Sequence, residues 1–269
     1  MSELANQQYL LTDQYKNASK LNARIELHQR FSANPRDWNE WVFEHFAFAE
    51  GNRILELGSG TGILWQKNLS RLPQGCIVTL SDLSEGMLQE AQRNLLNRGH
   101  SFTFQIIDAQ AIPHKDNSFD SVIANHMLYH VPDRARAIAE IRRVLKPTGR
   151  FYAAANGITH LQKIKQLIQR VELAQVGAPE AHEFKLENGA EQLERSFAHV
   201  ELYRLDNNAL IVTEVEPLLA FIRSISLTVP TTEQEQTLCS IIEREIAERG
   251  AVHIPKDTGI FIAYGNNED

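Results

Sequence analysis

Between Arg53 and Asn156, short apolar runs alternate with amphipathic stretches. "RILEL", "CIVTLSD", "SFTFQIIDA", "FDSVIANHM" and "RFYAAAN" read as buried strands. "TGILWQKNLSRL", "SEGMLQEAQRNLLNRG" and "RARAIAEIRRVLK" read as helices. Ser84 suits the second helix as an N-cap and Gly99 lies just past its end, while Asp133 begins the third and "PTG" turns out of it. A helix between successive strands forces right-handed crossovers. The expected architecture is therefore α/β, a mostly parallel sheet with helices on both faces.

The flanks lose this alternation. Residues 1–48 read as a helical cap, with "LNARIELHQRF" and "DWNEWVFEHFAF" periodic and Pro35 in the first turn of the second helix. Residues 49–269 form the main domain. After Asn156, "HLQKIKQLIQRVELAQV", "GAEQLERSF", "EPLLAFIRSIS" and "TTEQEQTLCSIIEREIAERG" read as helices, the last with a capping box from Thr232 to Glu235. "HVELYRLDNNALIVT" and "DTGIFIAYG" read as the final two strands. The helical insertion is more than a sheet needs, and segments around 157–197 and 214–250 are expected to form a lid or substrate wall.

Composition removes several classes. A net charge of −7 disfavours a large nucleic-acid footprint, and the densest basic run, Arg134 to Lys146, recurs as the wet face of a helix. Cys76 and Cys239 stand far apart without zinc or disulfide spacing. His126 and His130 lie four apart but lack a third ligand, so no metal site is expected. No apolar run approaches a membrane span, and "MSELANQQYLLTDQ" lacks the pattern of a signal peptide. The expectation is a reduced, cytoplasmic protein with no membrane and no nucleic-acid partner.

The first strand runs into "GSGTG". A nicotinamide turn reads G-x-G-x-x-G, but after Gly58 and Gly60 the third position is Ile63. Such a turn still brings backbone close to a ligand and aims helix amides at negative charge. Asp82 ends the second strand, where a carboxylate can accept both hydroxyls of a ribose. Asp108 and Ala109 end the third, offering an acceptor and an amide to a purine edge. All lie at carboxyl ends of adjacent strands, where open parallel sheets bind ligands. As a turn or helix cap, either aspartate alone has an ordinary structural use.

"ILELGSGTG", "LSDLSEGML", "IIDAQAIPHKDNSFDSVIANHMLYHV" and "EIRRVLKPTGRF" together resemble the successive motifs of class I S-adenosylmethionine-dependent methyltransferases, the small-molecule branch above all. The resemblance covers roughly residues 50–156. It implies a Rossmann-like seven-stranded sheet with an antiparallel final strand. It implies that Gly58, Ser59 and Gly60 pass under the methionine part of the cofactor, and that Glu56 orients the turn or reaches the amino group through water. It implies further that Asp82 holds the ribose, Leu83 packs on the adenine, Asp108 and Ala109 read its edge, and the Asn125 carbonyl meets the amino group. By position and chemistry, Tyr15 and Arg24 would reach the methionine carboxylate.

The function expected is methyl transfer from S-adenosylmethionine to a small organic acceptor on oxygen, nitrogen or carbon, leaving S-adenosylhomocysteine. Proximity and alignment carry such a displacement, so little acid–base machinery is needed. His126, just past the fourth strand, is the candidate general base, against an ordinary hydrogen-bonded histidine. His28 reads as a packed or solvated helix residue. "ANHM" departs from the "NPPY"-like pattern of enzymes that methylate amino groups of DNA bases or glutamine. Two rivals share the sheet: a sensor or partner subunit that binds S-adenosylmethionine without turnover, and an NAD(P)-dependent oxidoreductase, which Ile63 disfavours.

Overall fold

The computed structural model describes residues 19–96, 99–173, 183–226 and 228–266. Helices α1 (Ser19–Phe31) and α2 (Trp38–Glu44) precede β1 (Arg53–Leu57), α3 (Ile63–Asn68), β2 (Ile77–Asp82), α4 (Glu85–Leu95) and β3 (Ser101–Ile106). Then come β4 (Phe119–Asn125), α5 (Arg134–Val144), β5 (Leu145–Asn156), α6 (Gln162–Arg170), α7 (Gly189–Leu193) and β6 (His199–Arg204). The chain continues through β7 (Ala209–Val212), α8 (Val215–Ile225), α9 (Thr232–Arg249), β8 (Val252–Pro255) and β9 (Thr258–Tyr264).

Seven strands form one sheet in the order β3-β2-β1-β4-β5-β9-β6. The final strand, β9, pairs antiparallel with both β5 and β6, while β1 to β5 pair in parallel. This is the mostly parallel sheet expected from the alternation and from the resemblance. Side chains alternate across it with period two. Ile54, Val78, Ile123 and Tyr152 face a core with Trp41, Trp65 and Leu95. Leu55, Val122, Phe151 and Phe261 face another with Ile138 and Ile141 of α5 and Leu193 of α7.

A third core lies apart from the sheet. Leu27 and Phe31 of α1 pack with Ile164 and Ile168 of α6, Leu218 and Ile222 of α8, and Leu238 and Ile242 of α9. Leu210 and Val212 of β7 and Val252 and Ile254 of β8 supply its floor. The stretch read as one strand, 199–213, thus divides. β6 joins the main sheet, whereas β7 pairs with β8 in a separate two-stranded sheet. The polar "DNN" between them, with Asn207 at φ +49°, makes the break.

Two helix starts also move. Asp37, not Pro35, sets the start of α2, its side chain accepting from the amides of Asn39 and Glu40. The capping box of α9 is Thr231 with Gln234, one residue before the expected pair: the Gln234 amide donates to Thr231 Oγ1 at 3.2 Å and the Thr231 amide to Gln234 Oε1 at 2.9 Å. Much of the basic run from α5 into the start of β5 is engaged within the chain. Arg143 pairs with Glu140 and Asp116, Lys146 with Asp120, and Arg142 donates to Asn266.

Candidate functional site

The carboxyl ends of β1, β2, β4 and β5 open into a cavity of about 840 Å³, roofed by α1 and α8 from the third core. It lies where the strand order reverses direction, between β1 and β4, the usual ligand position in such sheets. Of the expected residues, Arg24, Glu56, Gly58, Ser59, Gly60, Asp82, Leu83, Asp108, Ala109, Asn125 and His126 all line it. Tyr15 lies outside the described residues.

The glycine turn is built for close approach. Gly58 has φ +66°, and a Cβ there would sit 2.7 Å from Met127 Cβ, so both the backbone angle and the space demand glycine. Gly60, at φ +54°, faces open space. The turn's amides are largely used inside the protein: Ser59 donates to the Ser81 carbonyl, Gly62 to the Ser59 carbonyl, and Gly60 to Asp82 Oδ2 at 3.0 Å. This differs from the expectation that the turn aims its amides at an anion. Ser59 Oγ is buried and has no partner among the described residues.

Three carboxyl groups ring this half. Asp82 accepts from Gly60 through Oδ2 and from the Ser84 amide through Oδ1, so one side chain ties the ends of β1 and β2 together. Burial raises its pKa against those amide bonds. Glu56 is buried and accepts from Trp65 Nε1 at 2.6 Å. Desolvation pushes its pKa up to about 8, with the nearby Asp82 adding to the shift and the indole opposing it. Asp108 accepts the amide and the side chain of Gln110. Arg24 is held by Ser224, donating to its carbonyl at 2.7 Å and to its hydroxyl at 3.2 Å.

Opposite these carboxyl groups the lining turns basic. His126 follows β4 with φ +52°, its ring 5.0 Å from that of Trp38 and its Nδ1 buried without a partner among the described residues. Burial, Lys256 and His130 lower its pKa to about 4. His28 also faces the cavity, its ring edge-on to Phe221 at 6.0 Å and its Nδ1 likewise unpartnered. Burial, Lys256 and His126 lower its pKa to about 3.

The sequence reading missed His160 and Lys256. His160 follows β5, and its Nδ1 accepts the Asp257 amide at 3.2 Å, which places the ring proton on Nε2. Its pKa is well below the usual value through burial and the surrounding histidines and Lys256. Lys256, in the turn between β8 and β9, has its pKa lowered by burial to about 8, with Asp37 opposing. Its position near the end of β5 could have flagged His160. Nothing local flags Lys256. Among the described residues, no three His, Cys, Asp or Glu side chains gather as metal ligands, and no helix is long and apolar enough to cross a membrane.

A glycine turn that a side chain would block, an acidic residue on the neighbouring strand, and a cavity at the reversal of strand order define a Rossmann-like site. Known proteins agree. Residues 55–153 match the family described as "Methyltransferase domain". The ubiquinone/menaquinone biosynthesis C-methyltransferase UbiE of Ectopseudomonas oleovorans is 39% identical over 119 residues, covering 43% of this chain and 69% of that protein. Its counterpart in Hahella chejuensis is 36% identical over 120 residues, covering 43% of this chain and 47% of that one. The match spans about half the length of the first such relatives. In fold, the chain superimposes on Haemonchus contortus phosphoethanolamine N-methyltransferase 2, crystallised with S-adenosyl-L-methionine, with a TM-score of 0.60 at 19% identity, covering 97% of this chain and 60% of that one. The chain belongs to the class I S-adenosylmethionine-dependent methyltransferases.

Proposed function

We propose that the protein transfers a methyl group from S-adenosylmethionine to a small organic acceptor, leaving S-adenosylhomocysteine. The observation that carries this is the pairing of the open Gly60 face with Asp82 and Asp108 in one cavity that extends well past them. The residues present fit the cofactor. Glycine at 60 leaves room for its methionine part, and buried Ser59 Oγ lacks a partner for a polar group. Asp82 would take the ribose hydroxyls, Asp108 and Ala109 the adenine edge, with Leu83 packed on its ring. Glu56 and the Asn125 carbonyl would meet the amino group. Arg24 and Tyr15 would meet the carboxylate, Arg24 on leaving Ser224.

The bound cofactor supplies an electrophilic methyl on a sulfonium. The chain's task is then to hold an acceptor in line with it and keep water away. The third core would close the cavity from above, with α1, His160 and Leu161 after β5, and Phe221 and Ile225 of α8 on its wall. His126, neutral at pH 7 and with its Nδ1 unpartnered among the described residues, would take the proton from an acceptor hydroxyl or amine.

Calorimetric titration with S-adenosylmethionine and S-adenosylhomocysteine, with NADH as control, tests the cofactor. Binding of the sulfur compounds alone is expected, and the absence of binding to folded, ligand-free protein would refute it. Turnover with an acceptor then separates an enzyme from a sensor.

A further inference from the structure

The cavity carries two sets of ionisable groups. Glu56, Asp82 and Asp108 stand at or just past the carboxyl ends of β1, β2 and β3, whereas His28, His126, His160 and Lys256 are close enough to one another to shift each other's titration. These four come from α1, the ends of β4 and β5, and the β8–β9 turn, so tertiary folding alone assembles them.

Most other charged groups on the lining already have partners. Lys67 is bonded to Asp37, Arg36 to Glu44, and Arg24 to Ser224. Asp37, the carboxylate whose field reaches Lys256, is further committed to the amides of Asn39 and Glu40. The Lys256 ammonium has no ion pair or hydrogen bond among the described residues, although it is half-buried. A desolvated cation without a counter-ion is costly. The buried Nδ1 atoms of His28 and His126 add two unanswered ring nitrogens beside it. Ile25, Phe221 and Ile225 continue the same wall as an apolar surface.

Resting on the methyl-transfer reading, we infer that the acceptor is an amphipathic organic carboxylate, its anion seated among His28, His160 and Lys256 and its apolar body against Ile25, Phe221 and Ile225. One unpaired cation matches one negative charge, and the neutral imidazoles beside it take up protons as the anion enters. A cationic acceptor would meet Lys256 as a like charge. A neutral one would leave that ammonium buried and unanswered.

The test uses the full chain saturated with S-adenosylhomocysteine. Acetate, butyrate, hexanoate, octanoate and phenylacetate are titrated calorimetrically against their primary amides, with inorganic phosphate as a further probe. At least one acid is expected to bind ten times or more tighter than its amide. Lys256→Met should erase that preference, and Lys256→Arg should restore it.

A second readout needs no variant. Acid binding, unlike amide binding, should take up protons, seen as different heats in Hepes and Tris. The groups that would gain them are His28, His160 and Lys256, with His126, His130, Asp37 and Lys165 the other titratable neighbours. An acid preference that is absent throughout, that survives Lys256→Met, or that comes without proton uptake overturns the inference. So does tight phosphate binding with no acid preference, which would make this a phosphate site. S-adenosylhomocysteine affinity is measured first: its absence in the wild type sinks the methyl-transfer reading, whereas intact affinity without acid preference sinks only the acceptor assignment.

Discussion

Asp82 does two things at once. Its carboxylate holds the Gly60 and Ser84 amides, fixing the turn, and it lines the cavity where a ribose would lie. Replacing it with alanine leaves those amides and the ligand hydroxyls without their acceptor. Asp82→Ala is expected to weaken S-adenosylhomocysteine binding by about 1–3 kcal/mol, which calorimetry on folded protein reads as a higher Kd. An unchanged Kd would remove the ribose role. Glu56 carries a different signature. With a pKa of about 8 before any cofactor binds, it is mostly protonated at pH 7. A cofactor ammonium beside it favours the carboxylate, so S-adenosylmethionine binding at pH 7 should release protons and Glu56→Gln should abolish that release. Titration in buffers of different ionisation heat measures it. Equal release from the glutamine variant would place the proton elsewhere.

At the scale of elements, local chemistry was the readable part. The β1 to β5 alternation, the Ser84 and Asp133 caps and Asp82 at the end of β2 are short-range signals, and each forms as read, whereas Asp108 lies two residues past the end of β3. Signals fail where two residues compete for one role. Thr231 and Thr232 are adjacent, and the box forms with Gln234 because its side chain reaches back to the Thr231 amide. Thr231→Ala is therefore expected to cost about 1 kcal/mol and Thr232→Ala within about 0.5 kcal/mol. Thermal melts of the two variants decide it, and a larger loss at Thr232 would restore the original register. Likewise, the break between β6 and β7 is polar and local, but the partner of β7 lies forty residues on, in β8. Pairing at that separation leaves no mark in either strand. The third core was hidden for the same reason: Leu27 of α1 and Ile242 of α9 meet only once the chain has folded. Leu218→Ala, at its centre, should cost about 2–5 kcal/mol in a denaturant melt; a cost near zero would mean that this core adds little to the fold.

Across the whole molecule, the cavity draws ionisable groups from both ends of the chain into one weakly solvated space, and that has a consequence for stability against pH. His28 and His126 have pKa values of about 3 and 4 in the folded ligand-free protein, below the ordinary 6.5, and His160 shifts the same way. As pH falls through 6.5, the unfolded chain takes up protons that the folded chain refuses, so stability is lost from there downward. Glu56 acts in the other direction. Its folded value of about 8 lies above the ordinary 4.5, so the unfolded chain ionises first and stability falls as pH rises from 4.5 to 8. Between 4.5 and 6.5 the histidines outnumber the glutamate, and from 6.5 to 8 Glu56 acts largely alone among these groups. The contribution of the site should therefore peak near pH 6.5, with a slope on the upper side of at most about 1.4 kcal/mol per pH unit. Melting temperatures of the ligand-free wild type and Glu56→Gln, compared from pH 5 to 8, isolate that side. The variant should gain on the wild type steadily from pH 6.5 to 8, whereas His126→Asn should gain on it only below 6.5. Parallel curves for Glu56→Gln and the wild type would mean that Glu56 is already ionised before the cofactor binds, and the proton release expected on cofactor binding would fail with it.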